Sequence, residues 1–199
     1  MQDFGTNSTA LLAMDFQNDI VDPKGKFGVQ AFAGHVEQKH AIENAARVVA
    51  AARSKRLPVI HVVVAFPEGH PSINMSAQLF AGIKQANALV QGTWGADFHP
   101  ALKPEQDEFV VTKQTVSAFA GTDLDKSLRA RGITTLVLTG VATNFVIDGT
   151  ARDAVDRGYA VAILEDCCAS FNEEVHASAL QVLTHLARIS TADEFISAL

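Results

Sequence analysis

Short apolar runs alternate with amphipathic stretches along most of this chain. Runs rich in β-branched residues predict strands at 9–17, 57–66, 108–113, 133–140, 159–166 and, as a short last strand, 188–190. Helical spacing of apolar residues predicts helices at 35–56, 122–132, 144–158, 172–187 and 191–199. The strand patterns are apolar at nearly every position, so helices should cover both faces of the sheet. The order of elements therefore predicts a three-layer α/β/α Rossmann-like fold with a mainly parallel six-stranded sheet.

The segment 67–107 breaks this alternation. It shows little regular pattern and is long for a connection, so we expect it to cover a functional site or to pack against a second subunit. Elsewhere the sequence has no internal repeat, low-complexity tract or linker. We therefore predict a single domain over residues 1–199.

Composition narrows the classes of function. The chain has 199 residues, of which 48% are hydrophobic, and a formal net charge of -6; these values are typical of a globular enzyme and not of a nucleic-acid-binding protein. The sequence shows no secretory signal and no apolar run long enough to cross a membrane. Cys167 and Cys168 are neighbours that cannot form an ordinary disulfide, which favours a reducing compartment. We expect a cytoplasmic protein that acts on a small molecule, without nucleic-acid or membrane partners.

Polar residues follow the predicted strands, where open α/β sheets bind their ligands. Asp15 interrupts the apolar run LLAMDF, and a buried carboxylate needs a partner. Lys113, at the end of VVTK, is the natural partner, which predicts an acid/base carboxylate tuned by a lysine. The alternative is an aspartate that caps a loop and a separate surface lysine.

The segment GVATN (140–144) predicts a sharp turn from strand to helix. Its amides could cradle an oxyanion, or its glycine could serve only close packing. Aromatic side chains near these strand ends would determine which substrate the pocket accepts. The aromatic residues at 94 and 119 could instead pack inside their own loops and hold them in place. The residues that we predict to contact a substrate are Gln17, Trp94, Phe119, Ala142, Asn144 and Phe145.

We expect neither a metal nor a cofactor. No two of the seven histidines make a convincing ligand pair four residues apart on a helix. The glycine-rich patterns GxGxxG and GxxxxGK[ST] do not occur, so a nucleotide site has no support in the sequence.

Four segments, in this order, resemble the isochorismatase-like (cysteine hydrolase) superfamily: LLAMDFQNDI, GTWGADFHPAL, VTKQTVSAFAGTDLD and LVLTGVATNFVIDGTARDA. The resemblance covers nearly the whole chain. It implies that Asp15 is the acid/base aspartate, that Lys113 is its lysine partner and that a cis peptide bond joins Val141 to Ala142. Members of the superfamily often form dimers or tetramers, so a homo-oligomer is expected.

The resemblance also bears on the nucleophile. In amidohydrolase members, the attacking cysteine stands two residues after the asparagine of GVATN, and here that position is Val146, which cannot attack a carbonyl. The segment VIHVVVAFPEGH also lacks the Asp-x-His pattern of nicotinamidase metal sites. Isochorismatases need no cysteine, because an aspartate protonates the enolpyruvyl carbon of their vinyl-ether substrate and water attacks the resulting cation.

Three hypotheses remain open at this point. The first is a cysteine-independent hydrolase that uses Asp15 and Lys113 on an acid-labile small substrate, as in isochorismatase. The second is a catalytically inactive member that binds a small ligand or a protein partner, because Val146 is bulkier than the glycine that isochorismatases carry there. The third is an amidohydrolase that uses Cys167 or Cys168.

Overall fold

The computed structural model describes residues 8–199, apart from the side chain of Val29, so the first seven residues of the predicted domain lie outside the described residues. Its centre is a six-stranded sheet in the order β3-β2-β1-β4-β5-β6, and every neighbouring pair of strands is parallel. The strands are β1 (Thr9–Met14), β2 (Val59–Val64), β3 (Phe109–Lys113), β4 (Thr135–Val141), β5 (Ala160–Ala169) and β6 (Arg188–Ser190). The predicted parallel six-stranded sheet is confirmed.

Helices connect these strands. The α-helices of the described residues are α1 (Asn18–Val21), α2 (Ala33–Gln38), α3 (Ala41–Ser54), α4 (Gln78–Gln85), α5 (Leu124–Ala130), α6 (Asp148–Asp156), α7 (Glu173–Leu183) and α8 (Ala192–Ala198). Turns of π-helix occur at Gly28–Phe32 and Thr143–Ile147. In the described part of the chain, none of the helices is long and apolar enough to cross a membrane.

Alternate residues of β1 belong to opposite cores. Leu11 and Ala13 belong to an apolar cluster that includes residues of α3 and α8, whereas Leu12 and Met14 belong to a second cluster with residues of α5, α6 and α7. All residues of β1 are buried. Because a sheet that is apolar on both faces must be covered twice, the two cores account for the three layers.

The stretch predicted as one helix over 35–56 is two helices, so this prediction was wrong. The first, α2, ends at Gln38, and α3 begins at Ala41. Between them, His40 has a φ of 51°, in the left-handed region that interrupts a helix. The residue just before the break, Lys39, contacts the sheet: its Nζ lies 2.7 Å from Glu165 Oε2 in β5. Helical periodicity does not reveal such a long-range contact.

The strand β5 is longer than the pattern predicts. Its pairing with β4 shifts register after Leu138, so that Gly140 pairs with Cys168 and β5 continues to Ala169. The prediction that Cys167 and Cys168 follow the strand was therefore wrong, since both lie within it and are fully buried. After the register shift, the end of β4 pairs with residues further along the chain, so the strand β5 extends through both cysteines.

The segment 67–107 contains one α-helix and two short 3-10 helices, at Trp94–Ala96 and Pro100–Leu102, that the pattern did not predict. The helix α4 lies within it, and its side chains Leu79, Phe80 and Ile83 line a cavity that Asp15 also lines. Part of the segment 67–107 therefore borders this cavity, and its packing against a second subunit stays a prediction.

Candidate active site

Asp15 and Lys113 meet where the strands of the sheet end. Lys113 Nζ donates hydrogen bonds to Asp15 Oδ2 at 2.8 Å and to the carbonyl of Thr115 at 3.0 Å. Because β2 lies between β1 and β3, the lysine side chain reaches past one whole strand. Only 2% of the lysine side chain and 7% of the aspartate side chain are exposed. The predicted contact is confirmed, and the alternative with a separate surface lysine was wrong.

The environment of Asp15 suits proton transfer. Its backbone has a φ of 58°, in the left-handed region, and its amide donates to the carbonyl of Val62 at 2.8 Å. Within the described residues, its buried Oδ1 has no hydrogen-bond partner. Burial raises the pKa of Asp15, and the ammonium of Lys113 opposes that rise. A buried carboxyl with a raised pKa and one unpaired oxygen is a candidate acid or base.

A cavity lies beside the pair and is lined by both of its members. The turn after β4 contributes Ala142, Phe145 and Val146 to its walls. A cis peptide bond joins Val141 to Ala142, as the resemblance implies. Asp15, Lys113 and these three wall residues are the predicted site residues that the structure brings together.

The turn after β4 is fixed by its neighbours. A Cβ added to Gly140 would lie 2.3 Å from the carbonyl oxygen of Met14, so the close approach of β4 to β1 requires glycine. The amides of Phe145 and Ile147 donate to the carbonyl of Ala142 at 3.1 and 3.3 Å. These two amides are therefore already used, and Gly140 serves the close packing of β4 on β1. An oxyanion site at the other amides of the turn stays a prediction.

Two buried histidines lie behind this turn. The rings of His35 and His176 have centroids 5.4 Å apart. Nδ1 of His176 lies 2.8 Å from the Thr143 hydroxyl, and this hydroxyl donates its one hydrogen bond to the carbonyl of Ala169 at 3.1 Å. Within residues 8–199, no group of three or more His, Cys, Asp or Glu residues is arranged to hold a metal ion. His176 therefore contacts the turn directly, whereas Nδ1 of His35 accepts a hydrogen bond from the amide of Ser170 at 3.0 Å.

Gln17 and Asn144 lie outside the cavity walls. Gln17 is fully buried, and its amide bonds to both backbone groups of Val64, at 2.9 and 2.8 Å, and to the carbonyl of Ala96 at 2.8 Å. Asn144 Oδ1 accepts a hydrogen bond from Ser170 Oγ at 2.6 Å. Gln17 therefore connects the segment after β1 to the end of β2 and to Ala96, and Asn144 connects the turn after β4 to Ser170.

Trp94 and Phe119 do not line the cavity either. Trp94 is 52% exposed. Phe119 is buried in the second core, where its ring stacks on Tyr159 at 5.9 Å between centroids and lies under the guanidinium of Arg157. A lone aromatic residue in an irregular segment does not reveal which way it faces, so the pattern alone did not separate pocket walls from other positions.

The sequence reasoning missed most of the aromatic wall. Phe27, Phe32 and Phe80 line the cavity. Phe32 and Phe145 both pack against Phe171, with ring centroids 4.9 and 5.8 Å apart. The available signal was the pair of phenylalanines in the otherwise polar, glycine-rich loop after β1, where an aromatic residue needs an apolar partner.

Cys167 and Cys168 are poorly placed for catalysis. They belong to opposite apolar cores, and neither lines the cavity. Burial raises the pKa of both thiols, that of Cys168 to about 12. A thiol that stays protonated at neutral pH is a weak nucleophile, so this geometry disfavours the third hypothesis.

We expect iodoacetamide to leave both thiols unmodified in the folded protein, because neither is accessible to the reagent. After unfolding in denaturant, which serves as the control, both should be alkylated. Mass spectrometry of the intact protein counts the added groups. Rapid alkylation of the folded protein with loss of turnover would instead support catalysis by one of these cysteines.

Comparison with known proteins agrees with this architecture. The isochorismatase domain model matches residues 9–194. YwoC of Bacillus subtilis, an uncharacterized isochorismatase family protein, is 32% identical over 195 residues, which cover 94% of this chain and 92% of that protein. The ureidoacrylate amidohydrolase RutB of Methylobacterium radiotolerans is 34% identical over 210 residues, with 96% and 80% covered. The crystal structure of an isochorismatase-like hydrolase from Alkaliphilus metalliredigens superposes with a TM-score of 0.81 at 32% identity, over 99% of each chain. This chain therefore belongs to the isochorismatase family.

Proposed function

We propose that this isochorismatase-family protein is a hydrolase of a small molecule that needs no cysteine, with Asp15 as acid/base and Lys113 as its partner. One observation carries the proposal: Asp15 lines a cavity with its Oδ2 held by Lys113, while its buried Oδ1 has no partner among the described residues. An oxygen in that position can exchange a proton with a bound molecule.

The hydrogen bonds favour one location for the proton of the acid form. Lys113 donates to Oδ2, which therefore acts as the acceptor, and Oδ1 is left to carry the proton. Burial favours this neutral form of the carboxyl. Lys113 uses two of its N–H groups on Asp15 and Thr115, so a third is left for a polar atom of the substrate.

Vinyl-ether hydrolysis is a reaction that this arrangement can perform. Asp15 donates its proton to the terminal carbon of the double bond, which leaves an oxocarbenium ion. Water adds to the carbon beside the oxygen and returns one proton to Asp15. The hemiacetal then separates into a carbonyl compound and an alcohol, so the enzyme ends as it began.

Val146 supports this chemistry over a covalent mechanism. Its side chain is buried and lines the cavity. By resemblance, it stands where amidohydrolase members carry their cysteine, and its methyl groups cannot form an acyl intermediate. We propose that Val146 serves as an apolar wall and that catalysis proceeds without a covalent step at this position.

The pH dependence of turnover follows from the role of Asp15 as an acid. The active form is the protonated one, which predominates below the pKa, so we expect kcat/KM to fall as the pH rises through the pKa of Asp15. Burial raises that pKa, so the fall should lie above the value of about 3.9 that is usual for aspartate. The measurement is a pH series with phenyl vinyl ether, followed by phenol release. Spontaneous acid hydrolysis, measured without protein, is subtracted, and activity that rises with pH would contradict the role.

A further inference from the structure

The cavity beside Asp15 offers a ligand few polar partners. Thr115 lines it, but the hydroxyl of this residue already contacts the carbonyls of Ser117 and Ala120 at 3.0 and 2.9 Å. Two N–H groups of Lys113 are also used. Among the described side chains that line the cavity, one N–H of Lys113 and Oδ1 of Asp15 are left for a ligand. The described side chains of the cavity can therefore satisfy about one polar group of a bound molecule.

The charges of the cavity walls limit the net charge that a bound ligand can carry. Lys113 is the one cation among the described residues that line the cavity, and Asp15 faces it at 2.8 Å. When Asp15 is protonated, Lys113 can balance one carboxylate of a ligand. A second carboxylate would be buried without a cation, which is strongly unfavourable. The cavity therefore accepts at most one negative charge.

The remaining walls are suited to apolar groups and rings. Phe32 and Phe145 come from separate segments, and both pack against Phe171, which is 44% exposed. On the side of α4, the walls include Leu79 and Ile83. Rings pack well on such surfaces, because aromatic side chains favour edge and offset contacts with other rings.

From these three features we infer that the substrate is a small, mainly apolar molecule, with a ring or alkyl group, one polar group and at most one negative charge. An alkyl or aryl vinyl ether meets this description, whereas a dicarboxylate does not. The inference rests on the proposed function only for the identity of the reacting group. Selection against a second carboxylate follows from the walls of the cavity alone.

A matched pair of ligands tests the inference without turnover. Cyclohexanecarboxylate and cyclohexane-1,2-dicarboxylate share a ring and differ by one carboxylate, and their affinities can be measured by calorimetry at mildly acidic pH. We expect the monocarboxylate to bind at least about tenfold more tightly. Its affinity should fall as the pH rises, because a bound anion requires protonated Asp15. Equal or tighter binding of the dicarboxylate, or binding of neither ligand, would overturn the inference.

This result is separable from the proposed function. Neither probe contains a vinyl ether, so binding does not depend on catalysis. A protein that prefers the monocarboxylate but hydrolyses no vinyl ether would refute the proposed function and leave the inference in place.

A charge added to the wall gives a gain-of-binding test. Leu79 is half-buried and lines the cavity, whereas the preceding residue of α4, Gln78, is exposed and does not. We expect Leu79→Lys to raise the affinity for the dicarboxylate at least about tenfold and the control Gln78→Lys to leave it unchanged. An equal response of both variants, or of neither, would show that charge in the cavity does not set the preference.

Discussion

Asp15→Asn should lower the turnover of phenyl vinyl ether by about 10²–10⁴-fold, the range that a positioned acid or base contributes. Asparagine has the shape of the carboxyl group but no acidic proton, so protonation of the double bond loses its donor. Steady-state kinetics with phenol release as the readout gives kcat and KM. We expect the loss in kcat, because the apolar walls that bind the ring are unchanged.

Asp19→Asn is the matched control for this variant. Asp19 is also a buried carboxylate, in the helix α1 that follows β1, but its oxygens accept hydrogen bonds from the amides of Lys26 and Leu89, and it does not line the cavity. Its replacement should lower stability and leave the kcat of the folded protein near that of the wild type. If Asp15→Asn retained most of the wild-type kcat, Asp15 would not be the acid.

The second large effect concerns the stability of the Asp15–Lys113 pair. Both side chains are nearly fully buried, and removing one member of a buried ion pair costs about 3–5 kcal/mol because the other charge is left uncompensated. We therefore expect Asp15→Asn and Lys113→Met each to lower the free energy of unfolding by about this amount. The double variant Asp15→Asn/Lys113→Met removes both charges and keeps side chains of similar volume. It should therefore recover most of the lost free energy of unfolding. Urea unfolding at neutral pH gives the four free energies.

The stability of Lys113→Met at two pH values tests the same ion pair in a second way, because the direction of the change with pH can be predicted. A carboxyl whose pKa is raised in the folded state binds its proton more strongly there than in the unfolded chain. Its contribution to stability is therefore largest at low pH and is lost as the pH rises towards the raised pKa. Burial raises the pKa of Asp15 and Lys113 opposes the rise, so Lys113→Met should lose more stability at neutral pH than at acidic pH. Equal losses at both, or additive losses in the double variant, would contradict this account of the pair.

Much of the fold could be predicted because its signals are local. Strands that are apolar at every position predict a covered parallel sheet, and the ends of such strands lie at one edge. This reasoning was enough to predict that Asp15 and Lys113 meet. It also gave the helix starts at Asn172 and Thr191, whose side chains accept hydrogen bonds from the amides of Val175 and Glu194.

The features that escaped prediction depend on contacts distant in sequence. The helix break at His40 accompanies the contact of Lys39 with Glu165, and the extra length of β5 becomes visible only in its register with β4. Neither leaves a periodic signal. The same holds for the cavity walls, because an isolated phenylalanine can face a pocket, as Phe32 does, or a core, as Phe119 does.

Hydrolysis by this protein should require Asp15 and no cysteine. A comparison of the wild type with the variant Cys167→Ala/Cys168→Ala tests this, on phenyl vinyl ether and on a panel of small amides, with acetaldehyde and ammonia followed separately. We expect both proteins to release acetaldehyde at similar rates and neither to release ammonia. Ammonia release that disappears in the cysteine-free variant, or failure of both proteins to release acetaldehyde, would contradict it.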